Sequence, residues 1–318
     1  MNHLTGALSF LLFAVNVGHA AGRFLPPEAF PSAVLGTNRT VRIWLPPSYE
    51  ILPEARYAVL YLHDGQNVFS SAGPNIAFGW GNWEVDLTVE RLVRENRMRE
   101  VILVAIDNTP KRYQEYRGRT APLTEEARKS TRQAVVDPGD NSAYDRYAQF
   151  LTTELKPAID RRFRTLTDPA HTGVLGSSMG GICSFALAWD HPEVFGLAAS
   201  MSGAYQIEQR CFLETVLKPH AGRPKPVRLY FDCGIQSGTS GDDGRANTER
   251  VVFELRRVGW QADVNLRYFL DEHPLTPVQL EPLKLADDKF KEAQINQHNE
   301  LYWRLRVWRP LEFLFPAR

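Results

Sequence analysis

Short apolar runs rich in β-branched residues alternate with amphipathic stretches along nearly the whole chain. No other sequence feature limits the available folds as much. The runs are Val41–Leu45, Tyr57–Leu62, Val101–Ile106, Thr172–Leu175, Leu197–Met201, Val227–Phe231 and Val264–Leu270. Several are apolar at consecutive positions, as strands buried on both faces are. Between them Glu84–Glu95, Tyr144–Phe163, Met179–Trp189 and Asn247–Val258 are long enough for helices, and a last helix is expected over Asn299–Leu314. Strand alternating with helix predicts an α/β fold, a mostly parallel central sheet with helices on both faces. The first two runs lie close together in sequence and are expected to pair antiparallel. With no internal repeat or hinge-like linker, residues 21–318 read as one domain. Two polar, Pro-containing stretches, 108–142 and 271–297, break the rhythm and are longer than ordinary connections.

The first twenty residues stand apart. Leu8 to Val17 is an apolar run too short to span a bilayer comfortably, and Gly18-His19-Ala20 supplies the small residues that signal peptidase reads. A signal peptide cut after Ala20 is expected, and with it a secreted or periplasmic protein without a membrane span. Over the 318 residues, 37 basic side chains balance 37 acidic ones, so no field of one sign draws the chain to nucleic acid. The expected partner is a small-molecule or carbohydrate ligand. Cys183, Cys211 and Cys233 lack metal-ligand spacing and allow at most one bridge.

Chemistry concentrates at Gly176-Ser177-Ser178-Met179-Gly180-Gly181, directly after one strand run and directly before a helix run. In that context a G-x-S-x-G pattern marks a sharp turn that exposes the central hydroxyl, here Ser178, and tolerates only small residues two places to either side. The helix N-terminus below it supplies N–H groups, that of Met179 first, where an oxyanion would form. Ser177 lacks glycines at the matching distances.

A serine hydroxyl needs a base, itself oriented by a third group, and on this kind of scaffold acid and histidine follow the serine in the chain. Of the later histidines, His191 reads as a helix end and His220 as surface. His273 follows the last strand but precedes Pro274, whereas His298 opens the final helix near Trp303 and Trp308, and is preferred. The acid is expected after the run Val227–Phe231. Asp242 is the first choice and Asp243 the second, in the loop Gly241-Asp242-Asp243-Gly244, with Asp232 read as a structural turn residue. A second oxyanion donor is expected from the N–H of Gln66, in His63-Asp64-Gly65-Gln66-Asn67, with Gly65 supplying the freedom to turn it inward. Trp80, Trp83, Tyr113 and Tyr116 lie near these early loops and would suit an acylated sugar or an aromatic acyl group.

From about Val41 to Pro316 the chain resembles the large esterase family that includes esterase D, feruloyl and acetylxylan esterases, enterochelin esterases and mycolyltransferases. The resemblance runs through His63 to Asn67, Ile106-Asp107-Asn108, Glu115-Tyr116, Gly176 to Gly181, and His298-Asn299-Glu300 to Trp303. It implies an α/β-hydrolase fold and a Ser-acid-His triad with neither metal nor cofactor. Many members carry a carboxylate three residues after the glycine that ends the strand, where this chain has Ser237. Asp242 or Asp243 has then taken over, or the triad is degraded. The implied function is serine carboxylic-ester hydrolysis through an acyl-enzyme on Ser178, on acylated carbohydrates or feruloyl-type esters. A siderophore esterase, an acyltransferase and an inactive binding protein on the same scaffold are the alternatives.

Overall fold

The computed structural model describes residues 21–119, 141–207, 212–238 and 241–317. The expected signal peptide, Cys211 and most of the first long insertion lie outside them. Among the described residues nine strands form one sheet: β1 (Arg23–Phe24), β2 (Glu28–Ser32), β3 (Thr37–Leu45), β4 (Ala58–His63), β5 (Val101–Ile106), β6 (Thr172–Ser177), β7 (Leu197–Met201), β8 (Arg228–Gly234) and β9 (Leu266–Asp271). Their order is β1-β3-β5-β4-β6-β7-β8-β9, with β2 paired to β3. From β5 to β9 every pairing is parallel.

The expected hairpin between the first two apolar runs does not form. β3 pairs antiparallel with β5, Val41 facing Ile106, and β4 lies parallel on the other side of β5. Burial explains the exchange. All six residues of β4 are buried, so it needs a neighbour on each edge and a cover on each face, while β3 begins with two exposed residues and suits a place nearer the rim. The edge strands β1 and β2, too short for a clear alternation, extend the sheet beyond β3.

Side chains alternate between two cores. Val59, Tyr61, Ile102 and Val104 enter one; Ala58, Leu60, Leu62, Leu103 and Ala105 enter the other. Helices Ser142–Gln149 and Met179–Asp190 cover the first face, and Val85–Arg94 and Trp308–Leu314 the second. The terminal helix expected over Asn299–Leu314 is two short helices, Glu300–Arg306 and Trp308–Leu314. The second long insertion is no open loop. It holds helices Pro277–Leu280 and Asp287–Ala293, whose Leu280 and Ala293 form a small core with Trp80, Leu301 and Tyr302. Among the described residues no helix is long and apolar enough to cross a membrane. Cys183 and Cys233 are buried free thiols.

In this topology His63, Ser177, Met201 and Gly234 all end at the carboxyl edge of the parallel strands, where loops converge and ligands bind in open α/β sheets.

Candidate active site

Ser178 joins β6 to helix Met179–Asp190 with φ 52° and ψ −118°, a conformation that L-residues rarely adopt. The turn holds because its backbone is bonded on both sides. Ser178 N donates to Met201 O at 2.9 Å, and Ser178 O accepts from Ala204 N at 3.0 Å and Gly181 N at 3.1 Å. Closeness, rather than freedom of φ, demands the flanking glycines. A Cβ on Gly176 would sit 2.6 Å from Gly180 O, and one on Gly180 would sit 3.1 Å from the Cβ of His63. Ser177, the last residue of β6, is buried.

His298 lies beside this turn with Nε2 2.9 Å from Ser178 Oγ and Nδ1 2.6 Å from Asp243 Oδ1. With the proton placed on Nδ1, the ring donates to the carboxylate and accepts from the hydroxyl. Its place is fixed from the sequence upward. Asn299 caps helix Glu300–Arg306 by accepting from Tyr302 N, His298 N donates to Asn296 Oδ1 at 2.9 Å, and Trp303 meets the imidazole edge-on at 5.2 Å. His273 is exposed on the chain after β9.

The two adjacent aspartates divide. Asp242, the first choice from sequence, turns away from His298 and caps the next helix, its carboxylate accepting from Gly244 N at 3.0 Å and Ala246 N at 2.9 Å. Asp243 has φ 52°, which reverses the chain and sends its side chain inward, fully buried. Its Oδ2 accepts from Ser202 Oγ at 2.7 Å and from Gly234 N at 2.5 Å. Burial pushes this carboxyl toward protonation, but the His298 hydrogen bond and the Arg306 guanidinium outweigh it and hold the group below the usual carboxylate range. Arg306 is itself buried, with Nη2 2.8 Å from Ser202 Oγ, 3.4 Å from Asp232 and 3.6 Å from Asp243. Burial keeps Asp232 up at about 6, against the pull of Arg306. Trp303 Nε1 donates to the same Ser202 Oγ at 3.1 Å. Sequence reasoning missed Ser202 and Arg306. Their signal was slight: a serine at the end of a strand, and one arginine among several in a terminal helix.

On the opposite side, Gly65–Asn67 forms a single 3-10 turn entered through Asp64 at φ 55°. The left-handed residue is thus Asp64, and Gly65 is required for another reason: a Cβ there would lie 2.7 Å from Ile106 N of β5. Asp64 is clamped by Arg112, Nε to Oδ1 at 2.6 Å and Nη2 to Oδ2 at 2.7 Å, and by Asn108 Nδ2 at 2.5 Å. Asn108 N also donates to Gln66 Oε1 at 3.1 Å. Arg112 rides on helix Arg112–Tyr116, which is anchored to β3 by the buried fork of Arg39 on Glu115 at 2.7 and 3.0 Å. The N–H groups of Gln66 and Met179 both belong to first turns, which helix geometry leaves without an intrahelical acceptor.

Between these parts opens a cleft of about 550 Å3. Gln66, Ser178 and His298 line it, together with the polar residues Asp64, Arg112 and Glu300 and the aromatic residues Phe78, Trp80, Trp83 and Trp303. Tyr113 and Tyr116, also expected near the ligand, do not line it, and Tyr116 is fully buried. Burial lifts the Glu300 carboxyl to about 7, with the charge of Asp64 adding to the effect. Beneath the cleft, His63 donates or accepts at Nδ1 with Tyr147 Oη at 3.0 Å, and burial lowers its imidazole to about 3.

A model of the family described as "Putative esterase" matches residues 32–252. A protein of Bacillus subtilis strain 168, the uncharacterized YbbA, is 25% identical over 232 residues, covering 71% of this chain and 81% of its own length. A ferulic acid esterase structure superposes with a TM-score of 0.62 at 18% identity, over 93% of this chain and 98% of that one. The enterobactin esterase of Shigella flexneri, in the presence of 2,3-di-hydroxy-N-benzoyl-glycine, gives 0.60 at 16% identity over 92% of this chain, which spans only 59% of that longer protein. Sheet order, turn geometry and family match agree: the chain belongs to this esterase family and is a carboxylic ester hydrolase with an α/β-hydrolase fold.

Proposed function

We propose that the protein hydrolyses its ester through an acyl-enzyme on Ser178, and that the ester is an acylated carbohydrate or a feruloyl-type ester. The observation that carries the mechanism is the unbroken line Asp243–His298–Ser178, with hydrogen bonds of 2.6 and 2.9 Å. His298 takes the Ser178 proton as the hydroxyl attacks the carbonyl carbon, then gives it to the departing alcohol oxygen. Water, deprotonated by the same ring, releases the acid. Asp243 remains ionised and stabilises the imidazolium, and the N–H groups of Gln66 and Met179 receive the oxyanion of both tetrahedral intermediates. The aromatic residues lining the cleft and the ferulic acid esterase among the similar structures support the substrate reading.

Residues 21–318 are inferred to form one domain, secreted or periplasmic after removal of residues 1–20; the N-terminal sequence of the mature protein tests this. For the chemistry, Ser178→Ala is expected to abolish turnover of short p-nitrophenyl esters and of methyl ferulate, and mass spectrometry should find the acyl group of a slow substrate on Ser178 in the unaltered protein. Equal rates in the two proteins would remove the mechanism.

A further inference from the structure

Ser202, the residue after β7, is fully buried and holds φ at 44°. A non-glycine residue keeps such a left-handed value only where its surroundings enforce it, and strain of this kind gathers at functional sites. We infer that Ser202 is a positioning residue of the reaction: its hydroxyl fixes the direction of the protons along Asp243–His298–Ser178 and keeps the Asp243 carboxylate on His298 rather than on Arg306. This rests on the Ser178 reading and deepens it.

The backbone around Ser202 braces the nucleophile. Met201 O accepts from Ser178 N at 2.9 Å and Ala204 N donates to Ser178 O at 3.0 Å, so the turn of Ser178 is bonded one residue before Ser202 and two residues after it. Ser202 N donates to Asp232 O at 2.8 Å, near the end of β8. The side chain therefore sits where β7, β8 and helix Glu300–Arg306 meet, and it touches the supports of both the acid and the histidine.

A serine hydroxyl has one proton to give and two lone pairs to accept with. All three are used. Trp303 Nε1 lies 3.1 Å and Arg306 Nη2 2.8 Å from Ser202 Oγ, and both groups are donors only. The Ser202 proton has one direction left, toward Asp243 Oδ2 at 2.7 Å. That oxygen also accepts from Gly234 N at 2.5 Å. A carboxylate held by two donors on one oxygen stays ionised and can only accept on the other. His298 Nδ1, 2.6 Å from Oδ1, must then donate, which leaves Nε2 free to accept from Ser178 Oγ at 2.9 Å. The order of protons at the nucleophile is thus set by two obligatory donors at the far end of the line.

The hydroxyl is also a spacer. Arg306 Nη2 is 3.6 Å from Asp243 and 3.4 Å from Asp232, and Nη1 is 3.6 Å from Asp271, while its short contact goes to the neutral Ser202. Of the other polar side chains here, Tyr230 bonds to Asp232 at 3.1 Å and the Cys233 thiol to Tyr268 at 3.4 Å, so neither replaces Ser202 on Asp243. Without the hydroxyl, the guanidinium and the Asp243 carboxylate would close on each other and the bond to His298 would weaken. Trp303 links the same oxygen to the base, since its ring meets the His298 imidazole edge-on at 5.2 Å.

Ser202→Gly and Ser202→Ala separate the hydroxyl from the turn. Glycine suits φ 44° better than serine does, so a residue needed only for the turn would lose nothing in Ser202→Gly and more in Ser202→Ala. The inference expects kcat for p-nitrophenyl acetate to fall about tenfold in both variants, with KM within about threefold. Added to Asp243→Asn, Ser202→Gly should cost less than about twofold more, because its effect passes through that carboxylate. Wild-type kcat in Ser202→Gly, a loss carried by KM, or losses that multiply in the double variant would overturn the assignment. A second measurement needs no turnover: the Nδ1 proton of His298, followed by NMR in isotope-labelled protein. A downfield resonance is expected in the unaltered protein and should move upfield or be lost to exchange in Ser202→Gly. That result supports Ser202 even if Ser178 fails as nucleophile; a resonance that Ser202→Gly does not move upfield, or that is absent from the unaltered protein, counts against it whatever the esterase assay shows.

Discussion

Asp242 and Asp243 are chemically identical neighbours, and what separates them is one backbone angle. The left-handed φ of 52° at Asp243 sends its carboxylate into the core, while Asp242 faces the N–H groups of the helix that follows. Substitution should therefore give opposite phenotypes. Asp243→Asn keeps the volume but presents an amide where His298 needs an acceptor, and kcat is expected to fall by about three to four powers of ten with KM little changed. Asp242→Asn should leave kcat within a few-fold and lower stability in urea by about 0.3–1 kcal/mol, since the helix N-terminus loses a negative charge and one of its two acceptor oxygens. Steady-state rates and unfolding midpoints of the two proteins check this; a larger kcat loss in Asp242→Asn would reverse the assignment. Ser178 and His298, proposed as nucleophile and base, stood out in the sequence because each sits at a junction between elements with its own local signature. The proposed acid, Asp243, had no such signature, since periodicity and composition say nothing about the φ of a residue in a glycine-rich loop. Ser202 and Arg306 were harder still, because their relation to Asp243 exists only once β7, β8 and the terminal helix are side by side.

At the scale of elements, the order of strands explains how a turn at Asp64 acquires rigid support. Because β5 lies between β3 and β4, the loop after β5 emerges next to the loop after β4, and Asn108 and Arg112 reach Asp64 directly. A hairpin of β3 with β4, the arrangement expected from their closeness in sequence, would have separated them. Hydrophobic runs identify strands well and neighbours poorly: whether a strand is central depends on burial of both edges, which no local pattern records. The motif residues Glu115 and Asn108 acquire a physical meaning here, as anchors of the Asp64 turn rather than as reacting groups. If the turn aims the N–H of Gln66, loosening the clamp should affect turnover more than binding. Arg112→Lys retains the charge but cannot reproduce the two-pronged grip on both oxygens of Asp64. Removal of an oxyanion donor costs about a hundred- to a thousandfold, and mispositioning one should cost less, about tenfold in kcat with KM within about threefold. A rise in KM at constant kcat would instead assign Arg112 to substrate binding.

For the whole molecule, three buried groups with displaced titrations set opposite demands on pH. Asp232 and Glu300 are held up at about 6 and about 7 from ordinary values of 3.8 and 4.5, and His63 is held down at about 3 from 6.5, in each case chiefly by burial. A raised carboxyl makes the folded state bind its proton more tightly than the unfolded chain, so its contribution is lost as pH rises; a lowered imidazole makes the unfolded chain bind more tightly, so its contribution is lost as pH falls. Between pH 4.5 and 6 the folded protein keeps most of two carboxyl protons while the unfolded chain keeps most of one imidazole proton and part of the Glu300 proton. The difference, about 0.6 of a proton on average, gives a stability that declines with rising pH by about 0.8 kcal/mol per unit. Below about pH 4 the order reverses. The unfolded chain then protonates all three groups and Asp243 besides, while folded His63 and Asp243 still resist. The stability maximum is therefore expected in mildly acid solution, near pH 4 to 5. Urea midpoints across pH 3 to 8 measure this, and Glu300→Gln provides the control. With one raised carboxyl removed, the remaining carboxyl and imidazole should cancel, and the decline between pH 4.5 and 6 should flatten to nearly zero. A wild-type protein that gains stability over that interval, or a variant that keeps the full slope, would show that these buried groups do not govern the profile.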